Sequence, residues 1–353
     1  MKTAIVTLVG NYNYGNRLQN YAMTQILQSL GHTVETLVFP QKPDASLRHL
    51  KYKASVFLGR TKDPVKSMTP ERLNRFNAFN ANIPMRKVGS NYARLNNDYD
   101  FFAVVSDQVW NPEFLSDDRA YFLNFCEESK RIAIAASFGV KAIPGKDQKR
   151  FKTGLMGIPH ISTREESGLT IIQDLTGRSD AVCIIDPTLV LSGQDWHSVA
   201  SYDFVPKERY VFSYMLGSIT ESQKAFLENY SHELAADVVL LSDRDDDSQL
   251  PAGPADFVGL IENASAVVTN SFHGAALSCL FQRPLFVMRR NGDDPTFSRI
   301  ETLSNKLALG LEFDEHEAGV VARASYCHAE SRLASERENF FEFLKSSGLD
   351  YND

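Results

Sequence analysis

Cysteine is scarce in this chain, with four in 353 residues, at Cys126, Cys183, Cys279 and Cys327, and no CxxC pair. That spacing excludes a disulfide framework and a zinc ribbon. Free buried thiols in a reducing compartment are the expectation. No stretch reaches the roughly 20 apolar residues that a membrane span requires. The apolar start, MKTAIVTLVG, is too short for a signal peptide and runs directly into polar GNYNYGNRLQN. Positive charge is short as well. Against 44 Asp and Glu stand 37 Lys and Arg, a formal net charge of −7, so nothing draws the whole molecule to nucleic acid or anionic lipid. A local basic pocket remains compatible with that balance. The expected location is the cytoplasm, with peripheral contact at the membrane where a substrate is membrane-bound. The glycines of the first loop do not fit GxGxxG, so no dinucleotide is indicated.

What is present describes a packed α/β protein. Hydrophobic residues make up 43% and charged residues 23%, as in ordinary globular chains, and the length suits two domains. Residues 3–9 form a β-rich apolar run. After a Gly/Asn loop, Leu18, Ala22, Ile26 and Leu30 recur at helical spacing, Gly31 ends the helix, and residues 33–39 read as the next strand. This unit opens a doubly wound fold. Residues 41–95 are basic and polar, helical or irregular. Further buried strands are expected at 101–105, 131–137, 158–161 and 181–185, with a helix running to Leu175. A second series has strands at 210–216, 237–241, 266–269 and 284–288, and helices at 257–263, after NSFHG, and at 334–345. The domains are placed at 1–190 and 191–353. Nearly every strand hands over to a polar loop at its C-terminal end, the edge where open α/β sheets hold ligands.

Those loops contain the candidate chemistry. The first holds Asn11, Asn13, Gly15, Asn16 and Gln19, which suit either turn and cap roles or hydrogen bonding to a ligand. Asp107, Gln108, Trp110 and Asn111 follow another strand, and Trp110 fits a sugar-stacking platform or a packed anchor equally well. Arg164, followed by Glu165 and Glu166, fits an anion-binding fork or a surface ion pair. Asp186, before Pro187, reads as a turn residue. His273 sits at the start of a helix with Asn270, Ser271 and Gly274 around it. The acids Asp243, Asp245, Asp246 and Asp247 contain a DxD look-alike, read as a solvated loop rather than a metal site.

Taken in order, GNYNYGNRLQNYA, SDQVWNP, AASFG, ISTREESG, IDPTLVL and TNSFHGAALSCLFQRPLF resemble the polysaccharide pyruvyl transferase family over roughly residues 3–300. The resemblance implies two Rossmann-like domains facing a cleft, similar to GT-B glycosyltransferases. It implies transfer of the enolpyruvyl unit of phosphoenolpyruvate onto a sugar of an exopolysaccharide or cell-surface glycan, free or lipid-linked, with no metal and no organic cofactor. His273 and Arg164 become the catalytic candidates. Asn16, Gln19, Asp107, Gln108, Trp110, Asn270, Ser271, Gly274, Arg289 and Arg290 become the substrate-binding ones. On this reading Arg164→Ala loses donor affinity with the fold intact. Two departures stand out. Val105 replaces a glycine usual before SDQ, and Ser271 stands where many relatives carry an arginine, leaving Arg289, Arg290 or Arg299 to supply that charge. The alternatives are a GT-B glycosyltransferase using a nucleotide sugar, or a non-catalytic glycan-binding protein on the same scaffold.

Overall fold

The structure is a computed structural model that describes residues 1–10, 13–40, 68–89, 91–113, 115, 117–242, 250–290, 295–313, 318–321 and 326–350. Asn11, the first part of the 41–95 segment and the acidic cluster from Asp243 to Asp247 lie outside the described residues.

The opening unit forms as its pattern predicts. Strand β1 (Lys2–Val6) is buried beyond its first residue. Helix α1 (Tyr14–Ser29) starts four residues before the apolar repeat, because the Asn13 side chain accepts the Asn16 N–H and caps it. Gly31 follows its end with φ of 80°, a conformation glycine adopts without strain. Strands β2 (Thr33–Val38), β3 (Met85–Lys87), β4 (Phe101–Val105), β5 (Arg131–Ala136), β6 (His160–Thr163) and β7 (Val182–Cys183) complete the first sheet. Among the described residues its order is β3-β2-β1-β4-β5-β6-β7, parallel throughout. The order reverses between β1 and β4, the switch point where doubly wound sheets open a crevice. The sequence pattern gave no sign of β3.

The second sheet uses β8 (Tyr210–Met215), β9 (Asp237–Ser242), β10 (Ala266–Thr269), β11 (Leu285–Met288), β12 (Glu312–Phe313) and β13 (Ala318–Val321), in the order β12-β13-β11-β10-β8-β9. Its β8 to β11 pairs are parallel. The β12 and β13 edge is antiparallel and was not anticipated.

One apolar cluster runs through both halves, joining Ile5 and Leu18 of the first to Val267, Leu277 and Val287 of the second. At the seam the Tyr14 hydroxyl donates to the Ala252 carbonyl, and its ring stacks on Phe257 at 4.9 Å. The final helix, residues Ala329–Ser346, reaches back across the seam, where Arg337 donates to the carbonyls of Leu189 and Leu191. The thiols are less uniformly buried than expected. Cys126 and Cys279 are buried, Cys183 is half-buried, and Cys327 is exposed. Among the described residues no helix is long and apolar enough to cross a membrane.

Candidate active site

Four strand ends converge on one buried polar cluster. After β1, helix α1 presents Asn16, whose Nδ2 donates to Asp107 Oδ2 at 3.0 Å. Asn16 Oδ1 accepts from Arg17 Nε at 3.0 Å, and Arg17 Nη2 also donates to the Leu8 carbonyl at 2.7 Å. Arg17 is fully buried, and its Nη1 has no hydrogen-bond partner. Burial lowers its pKa to about 10, against the pull of Asp107, so it stays charged at neutral pH.

Strand β4 ends in Ser106 and Asp107, both with positive φ, 35° and 49°. Two successive non-glycine residues in that region carry strain of order ~1–3 kcal/mol each, which surrounding structure must hold in place. The hold is visible. Ser106 N–H donates to Ile134, Ser137 N–H donates to the Asp107 carbonyl, and Asp107 Oδ1 accepts the Gln108 N–H. A bulge in β5 between Ala133 and Ala136, filled by the Ser162 hydroxyl, turns the strand end toward this loop.

After β6 comes Arg164, 2% exposed. Its Nη1 donates to Asp186 Oδ2 at 2.6 Å and to Ser106 Oγ at 3.2 Å. Its Nη2 lies 3.7 Å from Asp107 Oδ1 and its Nε 4.0 Å from Glu165 Oε2, and neither nitrogen is hydrogen-bonded. Asp186 does two jobs with its two oxygens. Oδ1 caps the short helix Pro187–Val190 through the Thr188 N–H, and Oδ2 receives Arg164 and the Ser106 hydroxyl. Burial would raise the Asp186 carboxyl, but Arg164, His273, Ser106 and Thr188 outweigh it and hold it well below the usual carboxylate range.

From the second sheet, β10 leads into helix α2 (Phe272–Leu280), capped by Ser271, whose first turn carries His273, 6% exposed. His273 Nε2 lies 3.5 Å from Arg164 Nη1 and 3.8 Å from Asp186 Oδ2. Arginine can only donate, so Nε2 is the accepting nitrogen and Nδ1 carries the proton. The ring fits because position 15 is glycine. A Cβ there would collide with the imidazole. Asn16, Asp107, Arg164 and His273 thus meet at the junction of the two sheets, with Nη1 of the guanidinium beside the imidazole and Nη2 and Nε, without hydrogen bonds, toward Asp107 and Glu165.

A model of the polysaccharide pyruvyl transferase family, a name covering the strand-end motifs that build this cluster, matches residues 13–292. The chain belongs to that family. The search among curated proteins gave no match. Among solved structures, a UDP-N-acetylglucosamine 2-epimerase has 11% identity and a TM-score of 0.51, covering 100% of this chain and 98% of its own. The Staphylococcus aureus MnaA–UDP co-structure has 9% identity and a TM-score of 0.50, covering 100% and 93%. At such identities the likeness concerns the fold, the GT-B type that the pyruvyl transferase resemblance implied.

Not every residue singled out in the sequence joins the cluster. Trp110 is a packed anchor, not a stacking platform. It is fully buried against Phe138 and Phe122, and its indole N–H donates to the Tyr121 carbonyl. Asn270 spends its amide on Leu216, accepting its N–H at 2.6 Å and donating to its carbonyl. Ser271 Oγ caps α2. Gly274 is required by packing, since a Cβ there would sit 2.6 Å from Thr269 Oγ1. Gln19 ties α1 to Thr7, and Gln108 accepts from Asn111. Arg289 is half exposed, 3.6 Å from Glu301, with its guanidinium over the Phe297 ring. Arg290 is half-buried and near Arg299.

Other members of the pyruvyl transferase cluster escaped the sequence reading. Arg17 and Ser106 carried no pattern signal. Asp186 was read as a turn residue only, and Glu165 as a neighbouring acid. Glu165 Oε1 accepts the N–H groups of Phe138 and Gly139, which fixes the AASFG loop.

The histidine has a consequence for acid stability. Burial, with Arg164 and Arg299 adding to it and Asp186 and Asp107 opposing, lowers His273 to about 4. Its ordinary value is 6.5. Between those values the unfolded chain binds a proton that the folded chain refuses, so folding stability falls as pH drops from about 6.5 toward 4. The slope from this one group approaches ~1.4 kcal/mol per pH unit. Denaturant melts from pH 7 to 4 should show that slope in the wild type and a shallower one in His273→Gln. Equal slopes would mean that His273 titrates normally.

Proposed function

We propose that this chain forms a pyruvate ketal on a sugar, with phosphoenolpyruvate as donor. The observation that carries the reading is Arg164. It is a buried guanidinium fixed by Asp186 through one nitrogen and without a hydrogen bond at two others, and it stands beside His273 in a member of this family. Phosphoenolpyruvate brings a carboxylate and a phosphate, the planar and tetrahedral anions that an arginine fork receives. In the free protein His273 is neutral at neutral pH. Anionic donor groups beside it favour the imidazolium, so the proton arrives with the donor.

The protonated His273 then delivers its proton to the donor methylene, making the adjacent carbon electrophilic. A sugar hydroxyl adds to that carbon and gives up its proton to the imidazole that the first step left neutral. Phosphate leaves with its C–O bonding pair, and a second hydroxyl of the same sugar closes the ketal, its proton passing to the departing phosphate or to solvent. Arg164, fixed before the donor arrives, stabilises the departing charge without reorganising. The scheme uses no metal and no organic cofactor.

The test combines thermal shift with product analysis. A ligand at 100 times its Kd adds about 2.7 kcal/mol of stability, so phosphoenolpyruvate should raise the melting point, whereas UDP- and GDP-sugars should not. With an acceptor glycan, inorganic phosphate should appear together with a pyruvylated sugar, undiminished by EDTA. Release of a nucleotide from a nucleotide sugar would support the glycosyltransferase reading, and glycan binding without turnover the binding-protein reading.

A further inference from the structure

We infer that Arg299 is the second arginine of the donor site, gripping the phosphate of phosphoenolpyruvate opposite Arg164; the inference rests on the donor reading above. Arg299 is the second residue of the helix Ser298–Leu307, in the C-terminal half, and is only 4% exposed. Its guanidinium carbon lies 5.9 Å from the centroid of the Phe272 ring, and that of Arg164 lies 4.7 Å from the same ring. Two cations thus address one aromatic residue, the immediate neighbour of His273.

The two cations differ in how they are neutralised. Arg164 has Asp186, but Arg299 has no carboxylate within ion-pair distance among the described residues. Among the described residues its one hydrogen bond is from Nε to the Thr296 carbonyl at 3.0 Å. Glu165 and Asp107 attract it only from farther off, while Arg164 and Arg290 repel it. Burial first, and then Arg164, lowers its pKa to about 10, which leaves it charged at neutral pH. Removing a charge from water is strongly unfavourable without a partner. A contact with an aromatic face returns only a small part of that cost. A structural strut of this kind would be better made from methionine or leucine. The arrangement is what a site looks like when its counter-ion is the ligand.

The geometry also favours Arg299 over Arg289 in place of the arginine absent at Ser271. Arg289 is half exposed and engaged with Glu301 and Phe297. Arg299 is buried against the residue that follows the Ser271 cap and precedes His273.

The experiment uses full-length Arg299→Met and Arg299→Lys beside wild type. A charged hydrogen bond lost to an anion weakens binding about 10- to 150-fold. We expect Arg299→Met to raise the KM for phosphoenolpyruvate by at least about 10-fold and to lose most of the melting shift given by inorganic phosphate. Its own melting point without ligand should hold or rise, because an unpaired buried charge has gone. Arg299→Lys should recover part of the phosphate shift. Donor KM and phosphate shift within about threefold of wild type, below that range, would overturn the inference while leaving the donor reading intact. A large fall in the ligand-free melting point with unchanged donor KM would also overturn it, making Arg299 a strut. If wild type ignores phosphoenolpyruvate but keeps an Arg299-dependent phosphate shift, the anion site stands and the donor reading falls.

Discussion

His273→Gln is expected to fold as the wild type does and to lose at least about a hundredfold in turnover, the scale of general acid catalysis. Glutamine keeps a polar side chain beside Arg164 and Asp186 but cannot deliver a proton. The structure sharpens the expectation. Because burial holds the free imidazole near 4, the donor must bring its proton with it. Calorimetry at pH 7 in buffers of different ionisation enthalpy should therefore show proton uptake when phosphoenolpyruvate binds wild type, and less uptake in the variant. Turnover of His273→Gln within about threefold of wild type, far below a general-acid effect, would make His273 structural and remove this mechanism.

The second large effect concerns Arg164, and here the structure corrects the sequence. Arg164→Ala was expected to weaken donor binding far more than it unfolds the protein. Arg164 is instead wholly buried, and its loss strands the Asp186 carboxylate without a cation. Breaking one side of a buried pair costs about 3–5 kcal/mol. We expect Arg164→Ala to be destabilised by that amount in urea melts and to show no measurable pyruvyl transfer. Arg164→Lys separates the two roles. It restores a cation for Asp186 and so most of the stability, but a point charge cannot offer two parallel N–H groups. Its donor affinity should remain about 10- to 150-fold weaker. An Arg164→Ala protein as stable as wild type would refute the buried-pair account, and an Arg164→Lys protein with full donor affinity would refute the fork.

Apart from β3, the first sheet was readable because its strands are short apolar runs closed by turn chemistry, and the four converging residues were readable because each follows such a run. Other features were hidden for identifiable reasons. Trp110 lies in a polar loop, where the text is the same whether the ring faces solvent or Phe138. The DPT signature does mark a helix cap, but it describes only Asp186 Oδ1. The partner of Oδ2 is Arg164, 22 positions away. Arg17 breaks the rule that helix arginines face water, because the Asn16 amide and the Leu8 carbonyl receive it inside the fold. Arg299 sits beyond the last motif, and only its burial against Phe272 distinguishes it from Arg289. The edge strands β12 and β13 are too short to carry a pattern.

The empty place at Gly15 has a mechanical consequence. The glycine belongs to the first turn of α1, the imidazole to the second sheet's helix, and they occupy each other's space. The two halves of the molecule are therefore indexed against one another at His273, the proposed acid. A methyl group at position 15 would displace the ring and its contact with Arg164 together.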